Sequence, residues 1–200
     1  MNHYIVGHNE RCIGCNTCQA ACSNAHKAFG LQSHPRISVI KTSDISVISA
    51  CHQCEGAPCA EVCPVQVIHH FGNFIYVDEK NCIGCKLCAY ICPFGAIHPD
   101  GTSISGVAGI SVDTPTYSKT ISPTLDWEIG VHTVAVKCDV CFFDPQGPNC
   151  VRVCPTDAIE FVTEEDADDL SKELRVQAAE VLTQVLHEDA SSTSQTGGEE

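Results

Sequence analysis

Cysteine spacing constrains this chain more than any other feature of its sequence. Of the 200 residues, 16 are cysteine, and they fall into four groups of four. Groups one and three share the spacing C-x2-C-x2-C-x3-C, whereas groups two and four open with C-x2-C and close with C-x3-C after a longer gap. This alternation predicts a unit of two motifs that has been duplicated in tandem. The groups are Cys12, Cys15, Cys18 and Cys22; Cys51, Cys54, Cys59 and Cys63; Cys82, Cys85, Cys88 and Cys92; and Cys138, Cys141, Cys150 and Cys154.

The compartment in which a chain is kept decides whether such cysteines form disulfides or bind metal. The segment Met1–His8 lacks a basic start, an apolar stretch and a twin arginine. No apolar run reaches the ~18 residues that a membrane-spanning helix needs. We therefore expect a cytoplasmic chain without direct membrane insertion, in which reduced cysteines bind metal. A disulfide framework is the alternative.

The charge of the chain argues against nucleic acid as a partner. The formal net charge is −14, and phosphate binding needs an excess of lysine and arginine. From Thr163 to Glu200 there are 11 acidic and 2 basic residues, a net −9, whereas the preceding residues carry 14 and 9, a net −5. The C-terminal segment is therefore predicted to be a separate region.

The run C-x2-C-x2-C-x3-C-P is the signature of bacterial ferredoxins, in which three cysteines bind one 4Fe–4S cluster and the fourth binds the other cluster of a pair. Three thiolates two residues apart need a tight backbone turn, which favours Gly14 and Gly84 between them. A proline follows the fourth cysteine in groups two, three and four, but Ser23 stands there in group one. Since sixteen cysteines complete four all-cysteine sites, no histidine is needed as a ligand.

A structural zinc or assembly protein is the alternative from a different class. Such a protein would use isolated C-x2-C pairs that close a tetrahedral site. Groups two and four fit that pattern, but the evenly spaced triplets of groups one and three do not. The sequence contains no nucleotide-binding glycine motif and no nucleophile–base pair, so we do not expect the chain to be catalytic alone.

Short β-type runs between the motifs predict an α+β fold of two bacterial-ferredoxin-like lobes. Lobes of this size bury little apolar surface, so their folding is expected to depend on bound 4Fe–4S clusters. A short helix is predicted over Leu87–Ile91, where the following proline ends it. The predicted strands are Ile37–Ile40, Ile45–Ile48, Phe74–Val77, Val134–Val136 and Ile159–Val162.

Two segments lie outside the motifs. Residues 99–131 are predicted to form an inserted loop, either a plain surface loop or a docking arm that contains Trp127. Thr163 and Asp166 predict the start of an acidic amphipathic C-terminal helix over residues 163–188, followed by a disordered tail over 189–200. The apolar stripe of that helix fits either packing on its own protein or binding to a partner.

The chain resembles the four-cluster iron–sulfur subunits of molybdopterin oxidoreductases, the family of the dimethyl sulfoxide reductase electron-transfer subunit. Within that family it is most similar to the small electron-transfer subunit of formate hydrogenlyase and to hydrogenase-4 component A. The resemblance covers about residues 1–162. The segments that carry it are Cys12–Cys18, Gly30–Arg36, Cys82–Cys88 and Val136–Asp139.

The resemblance implies nested pairing, with motif one beside motif four and motif two beside motif three. The spacing alone establishes the four triplets, and the fourth ligand of each site comes from the resemblance. One lobe is then expected from residues 1–50 and 132–162, and the other from residues 51–98. The four expected sites are Cys12, Cys15, Cys18 with Cys154; Cys138, Cys141, Cys150 with Cys22; Cys51, Cys54, Cys59 with Cys92; and Cys82, Cys85, Cys88 with Cys63.

The same resemblance implies a function in electron transfer. The chain is expected to relay single electrons through four 4Fe–4S clusters between a molybdopterin formate dehydrogenase and a hydrogenase, peripheral to the inner face of the cytoplasmic membrane. The complex would be of the formate hydrogenlyase type or a hydrogen-dependent carbon dioxide reductase. A stand-alone polyferredoxin, or a subunit of another molybdopterin oxidoreductase, is the alternative within the same class.

Overall fold

A computed structural model describes residues 2–102 and 133–193 of the chain. The chain divides into two compact units, residues 2–162 and the segment that begins at Thr163. Most of the predicted inserted loop, including Trp127, lies outside the described residues, as do residues 194–200 of the predicted tail. Within the described ranges, no helix is both long and apolar enough to cross a membrane.

Short antiparallel strand pairs form the framework of the first unit. The runs of Val, Ile and Phe between the cysteine motifs favour strands, and all five predicted strands are confirmed to within one residue at each end. Tyr4 lies opposite Val162, so one pair joins the two ends of the unit. The pairs are β1 (Tyr4–Gly7) with β8 (Ile159–Val162), β2 (Ser38–Lys41) with β3 (Ser46–Ser49), β4 (Ile68–Phe71) with β5 (Phe74–Val77), and β6 (Ile97–Thr102) with β7 (Thr133–Lys137).

A helix lies in the last part of each cysteine motif. The helices are α1 (Thr17–Ala28), α2 (Pro58–Glu61), α3 (Leu87–Ile91) and α4 (Asn149–Arg152), so the helix predicted over Leu87–Ile91 is confirmed. Only α1 continues well past its fourth cysteine. Proline would remove a backbone donor and clash with the preceding turn, and Ser23 at that position lets α1 reach Ala28. Helix α1 packs against α4, and α2 packs against α3. The described residues thus form the predicted α+β fold.

Buried side chains form two hydrophobic cores, and cysteines belong to both. Cys92 is partly buried against each of them. The first core contains Ile5, Cys18, Cys22, Ile37, Ala50, Cys51, Phe74, Ala96, Cys138, Val140, Cys150 and Ile159. The second core contains Ala57, Cys59, Val67, Ile68, Ile75, Val77, Cys82, Cys88, Ile97, Val134, Ala135 and Val136.

Strand β6 extends into the segment that was predicted to be an inserted loop. Residues 99–102 were expected to begin the inserted loop but belong to β6, which pairs with β7. Gly101 permits this close approach, because a Cβ there would lie 2.5 Å from Cγ2 of Val136. As a result, Val134 and Val136 lie in the second core, beside motifs two and three.

The second unit contains helix α5 (Glu164–Thr193). Thr163 and Asp166 form the predicted capping pair: the N–H of Asp166 donates to Oγ1 of Thr163 over 3.3 Å, and the N–H of Thr163 donates to Oδ2 of Asp166 over 2.9 Å. The helix runs past its predicted end at residue 188, because no glycine or proline occurs before Gly197. Residues 189–193 of the predicted tail are therefore helical.

Candidate metal centres

All sixteen cysteines lie in the described residues, and they are thiols rather than disulfides. Twelve of them line three cavities, four to a cavity. In each cavity, three cysteines come from one motif and the fourth comes from another. Site 1 is lined by Cys12, Cys15, Cys18 and Cys154, site 3 by Cys51, Cys54, Cys59 and Cys92, and site 4 by Cys82, Cys85, Cys88 and Cys63.

The remaining four cysteines are Cys138, Cys141, Cys150 and Cys22, and this set is called site 2 below. Burial raises the pKa of Cys150, and the charges of Cys22 and Cys141 raise it further. Burial also raises the pKa of Cys141 to about 11, with smaller contributions from neighbours that include Cys22. The pKa of Cys138 lies well above its usual value, mainly because the thiol is buried. These four thiols are thus close enough to interact electrostatically.

The walls of the cavities are largely apolar. Val39 and Ile48 line site 1, Ile75 and Phe94 line site 3, and Val67 lines site 4. Such walls keep water away from the thiols, which disfavours their ionised form. Accordingly, burial raises the pKa of Cys18 in site 1 and of Cys88 in site 4 to about 11 each.

Buried thiols of this kind fit a metal cluster. A thiol with a pKa near 11 is protonated at neutral pH, whereas a metal ligand must be a thiolate. A bound metal cation overcomes this preference for the protonated form, because coordination deprotonates the thiol. Four converging cysteines are the ligand set of a 4Fe–4S cluster. The donor set of each site therefore fits that cofactor.

Left-handed backbone turns shape the loops of motifs one and three. Gly14 and Gly84 have φ angles of 68° and 67°, and Asn16 and Lys86 follow with φ angles of 62° and 65°. Residue 84 must also be glycine for a steric reason, because a Cβ there would lie 2.2 Å from the carbonyl oxygen of Thr133. These turns point successive cysteines of one loop toward the same cavity, as the sequence predicted for Gly14 and Gly84.

Backbone N–H groups donate to a cysteine sulfur in every site. These bonds orient the sulfurs, and hydrogen bonds to ligand sulfurs are one of the factors that set the reduction potential of a cluster. The bonds run from Ala158 to Cys154 over 3.2 Å in site 1, from Arg36 to Cys22 over 3.3 Å in site 2, from Gln53 to Cys51 over 3.5 Å in site 3, and from Ala135 to Cys82 over 3.4 Å in site 4.

A buried ionic network beside site 2 was missed by the sequence reasoning. Nε2 of His26 lies 2.9 Å from Oδ1 of Asp139, and Nδ1 of the same ring lies 2.7 Å from the carbonyl oxygen of Cys22. Arg36 forms an ion pair with Glu79, and its Nε lies 3.8 Å from Oδ2 of Asp139. Ser23 could have indicated this role of His26 from the sequence. Because no proline follows Cys22, α1 can continue as far as this histidine.

The network holds His26 and Asp139 in their charged forms. Burial lowers the pKa of His26, but the hydrogen bonds with Asp139 and Cys22 outweigh it and raise the value to about 9. Burial raises the pKa of Asp139, but His26 and Arg36 bring it below its ordinary value. At neutral pH the two side chains therefore form a charged pair.

Comparison with known proteins identifies a 4Fe-4S binding domain and iron–sulfur relatives. Residues 75–98, which contain motif three, match the 4Fe-4S binding domain family. Hydrogenase-4 component A of Escherichia coli (strain K12) is 46% identical to this chain over 88% of each sequence. Formate hydrogenlyase subunit 2 of the same strain is 42% identical over 88% of this chain and 89% of the relative. The electron transport protein HydN of that strain is 35% identical over 90% of this chain and 98% of the relative.

The relatives are named a component, a subunit and an electron transport protein rather than stand-alone enzymes. Identities above 40% over most of both chains leave no doubt about common descent. The family inferred from the cysteine motifs is thereby confirmed. The chain belongs to the family of iron–sulfur electron-transfer subunits that includes hydrogenase-4 component A and formate hydrogenlyase subunit 2.

Proposed function

We propose that the chain holds four 4Fe–4S clusters and relays single electrons within an oxidoreductase complex. The observation that carries this proposal is that twelve of the sixteen cysteines line three apolar cavities, four to a cavity. A bound 4Fe–4S cluster supplies one-electron chemistry. The chain itself supplies the thiolates, excludes water with the apolar walls and donates N–H bonds to the sulfurs.

Sites 1 to 4 are the proposed ligand sets, in a nested arrangement of two bacterial-ferredoxin-like lobes. Sites 1 and 2 belong to the lobe of motifs one and four, and sites 3 and 4 belong to the lobe of motifs two and three. The packing of α1 on α4 and of α2 on α3 supports this division. Because β7 lies in the second core, the proposed second lobe takes in residues 133–137.

The proposed path of electrons follows the order of sites 1, 2, 3 and 4. Neighbouring sites are linked in pairs, because each lobe exchanges its fourth ligands. Cys51 of site 3 and Cys138 of site 2 belong to the same hydrophobic core, which supports a link between the lobes. Of the sixteen cysteines, only Cys15 and Cys85 are exposed. They belong to sites 1 and 4, so these two sites are proposed to exchange electrons with the partners.

The proposed partners are the catalytic subunit of a molybdopterin formate dehydrogenase and the subunits of a hydrogenase. Two relatives support this choice through their names, one linked to hydrogenase-4 and the other to formate hydrogenlyase. The complex is proposed to lie on the cytoplasmic side, peripheral to the membrane through its partners. Electrons would pass from formate to protons, or in the opposite direction in a hydrogen-dependent carbon dioxide reductase.

Anaerobic purification of the chain from its native source, with identification of the proteins that stay bound, tests this function. A molybdopterin formate dehydrogenase and a hydrogenase in one complex would support it. A chain that carries iron but has no catalytic partner would instead be a polyferredoxin. A different molybdopterin enzyme as the partner would place the chain in another complex of the same class.

A further inference from the structure

Lys137 is a buried cation without a buried anion beside it. The residue is 2% exposed, and no carboxylate of the described residues forms an ion pair with it. Other buried charges of the described chain balance one another, since Arg36 pairs with Glu79 and His26 pairs with Asp139. Removing a charge from water costs several kcal/mol unless an opposite charge compensates. A nearby anion would therefore stabilise the charged side chain of Lys137.

The hydrogen bonds of Lys137 fit the ammonium form. Its Nζ donates to the carbonyl oxygens of Ile75 and of Cys138, the latter over 2.8 Å, and to Oε1 of Gln53 over 3.3 Å. An ammonium group has three donors and no acceptor, so three acceptors satisfy it completely. The amide of Gln53 is held in this orientation, because the N–H of Ile75 donates to Oε1 and Nε2 donates to the carbonyl of Cys138. All three acceptors are neutral and leave the charge uncompensated.

The charge of Lys137 acts on site 3. Ile75, whose carbonyl accepts a bond from Lys137, lines the cavity of that site. Gln53, whose Oε1 accepts a bond from Lys137, lies between Cys51 and Cys54 in the loop of site 3, and its N–H donates to Sγ of Cys51 over 3.5 Å. A negatively charged group in this cavity would therefore lie close to a buried cation.

We propose that Lys137 is the counter-ion of the cluster held by site 3 and raises the reduction potential of that cluster. This inference rests on the proposed function. Four thiolates outweigh the positive charge of an iron–sulfur core, and reduction adds a further negative charge. A fixed positive charge in a medium of low dielectric constant therefore favours the reduced form. No bond forms or breaks in this step, and the electron comes from and goes to the neighbouring redox sites.

The test is an anaerobic redox titration of the full-length chain, followed by electron paramagnetic resonance. Lys137→Met removes the charge while keeping an unbranched side chain, and the signal of site 3 is assigned by its change in Cys54→Ser. We expect the reduced-to-oxidised ratio of that cluster at a fixed potential to fall at least about tenfold, which is a shift of about 59 mV for one electron. The reduction potentials of the other three clusters should shift less.

Lys86→Met is the matched control. Lys86 lines site 4 but is exposed, so the same loss of charge is screened by solvent and should shift the potential of site 4 only slightly. Lys137→Arg retains the charge and should keep the potential of site 3 close to that of the unaltered chain. Gln53→Glu places a carboxylate beside the ammonium group and should lower the same potential with the lysine still present.

The iron content of the unaltered chain distinguishes failure of this inference from failure of the proposed function, because a chain without iron would refute the function itself. If Lys137→Met prevents folding, Lys137→Arg and Gln53→Glu carry the test. The inference fails if a fully iron-loaded Lys137→Met chain keeps the potential of site 3, or if the shift occurs at another cluster. It also fails if Lys137→Arg and Lys137→Met lower the potential equally, because Lys137 would then have only a structural role.

Discussion

His26 and Asp139 are an ion pair between residues that are 113 positions apart in the sequence, with Nε2 of the histidine 2.9 Å from Oδ1 of the aspartate. His26 follows Cys22 on α1, and Asp139 lies between Cys138 and Cys141. The pair therefore connects motif one to motif four at site 2. Both side chains are almost completely buried, so the connection operates in a medium of low dielectric constant.

Replacing Asp139 by Asn should destabilise the protein around site 2. His26 would lose its anion, and Arg36 would lose one of its two carboxylate neighbours. Removing one partner of a buried ion pair costs about 3–5 kcal/mol. The measurement is the guanidinium chloride concentration at which half of the visible absorbance of the anaerobic protein is lost. Glu160→Gln is the control, because the bond of Glu160 to His8 is exposed and contributes about 1 kcal/mol or less. Equal midpoints for the two variants would contradict the prediction.

The contribution of His26 should depend on pH. Its pKa is raised from 6.5 to about 9, so the stabilisation is complete below pH 6.5 and is lost as the pH rises through about 9. Asp139 has a lowered pKa, so its contribution is lost only as the pH falls through a value below 3.8. The groups that act most strongly on His26 are Asp139, Cys22 and Arg36, and Glu79 also interacts with it.

The comparison of the unaltered chain with His26→Asn measures this dependence. The difference in the free energy of unfolding between the two chains should decrease as the pH rises from 6.5 to about 9. The decrease should be on the order of 1.4 kcal/mol for each unit by which the fold raises the pKa of His26. The midpoint of cluster loss in guanidinium chloride, recorded across that range, provides the measurement. Two curves that stay parallel over the whole range would show that His26 is not charged in the folded protein.

Ser23→Pro should disrupt the network through the backbone. Proline inside α1 removes a helical hydrogen bond and clashes with the preceding turn, at a cost of about 3 kcal/mol or more. The helix beyond residue 23 would no longer hold His26 against Asp139. We expect a lower thermal midpoint and loss of the cluster of site 2 before the others. Ser23→Ala keeps the helix and serves as the control, so a similar loss in both variants would contradict this explanation.

Sequence reasoning predicted local structure well, because the signals were local. Hydrophobic runs identified β5 and β8 without error, and the Thr163–Asp166 pair identified the start of α5. It failed where distant segments meet. Pairing of β6 with β7 depends on residues on either side of a long insertion, and no sequence pattern indicates their register. Lys137 and Gln53 look like ordinary polar residues of the motifs until the fold buries them together.

Cys154→Ser should damage the cluster of site 1 rather than that of site 2, although Cys154 belongs to motif four. The reason is the exchange of fourth ligands between paired clusters, and Cys154 lines the cavity with Cys12, Cys15 and Cys18. Spectroscopy that separates the four clusters makes the measurement, with Cys150→Ser as the comparison that should affect site 2. Damage confined to site 2 in the Cys154→Ser chain would refute the nested pairing.

The central claim is that each of the four cysteine sets holds a 4Fe–4S cluster, and metal analysis of the anaerobically isolated full-length chain tests it most directly. Four irons and four labile sulfides for each set give about 16 of each per chain. The account predicts this content, together with a brown colour that is lost on exposure to a chelator. Zinc at about one ion per set, with no iron taken up on anaerobic reconstitution, would contradict it.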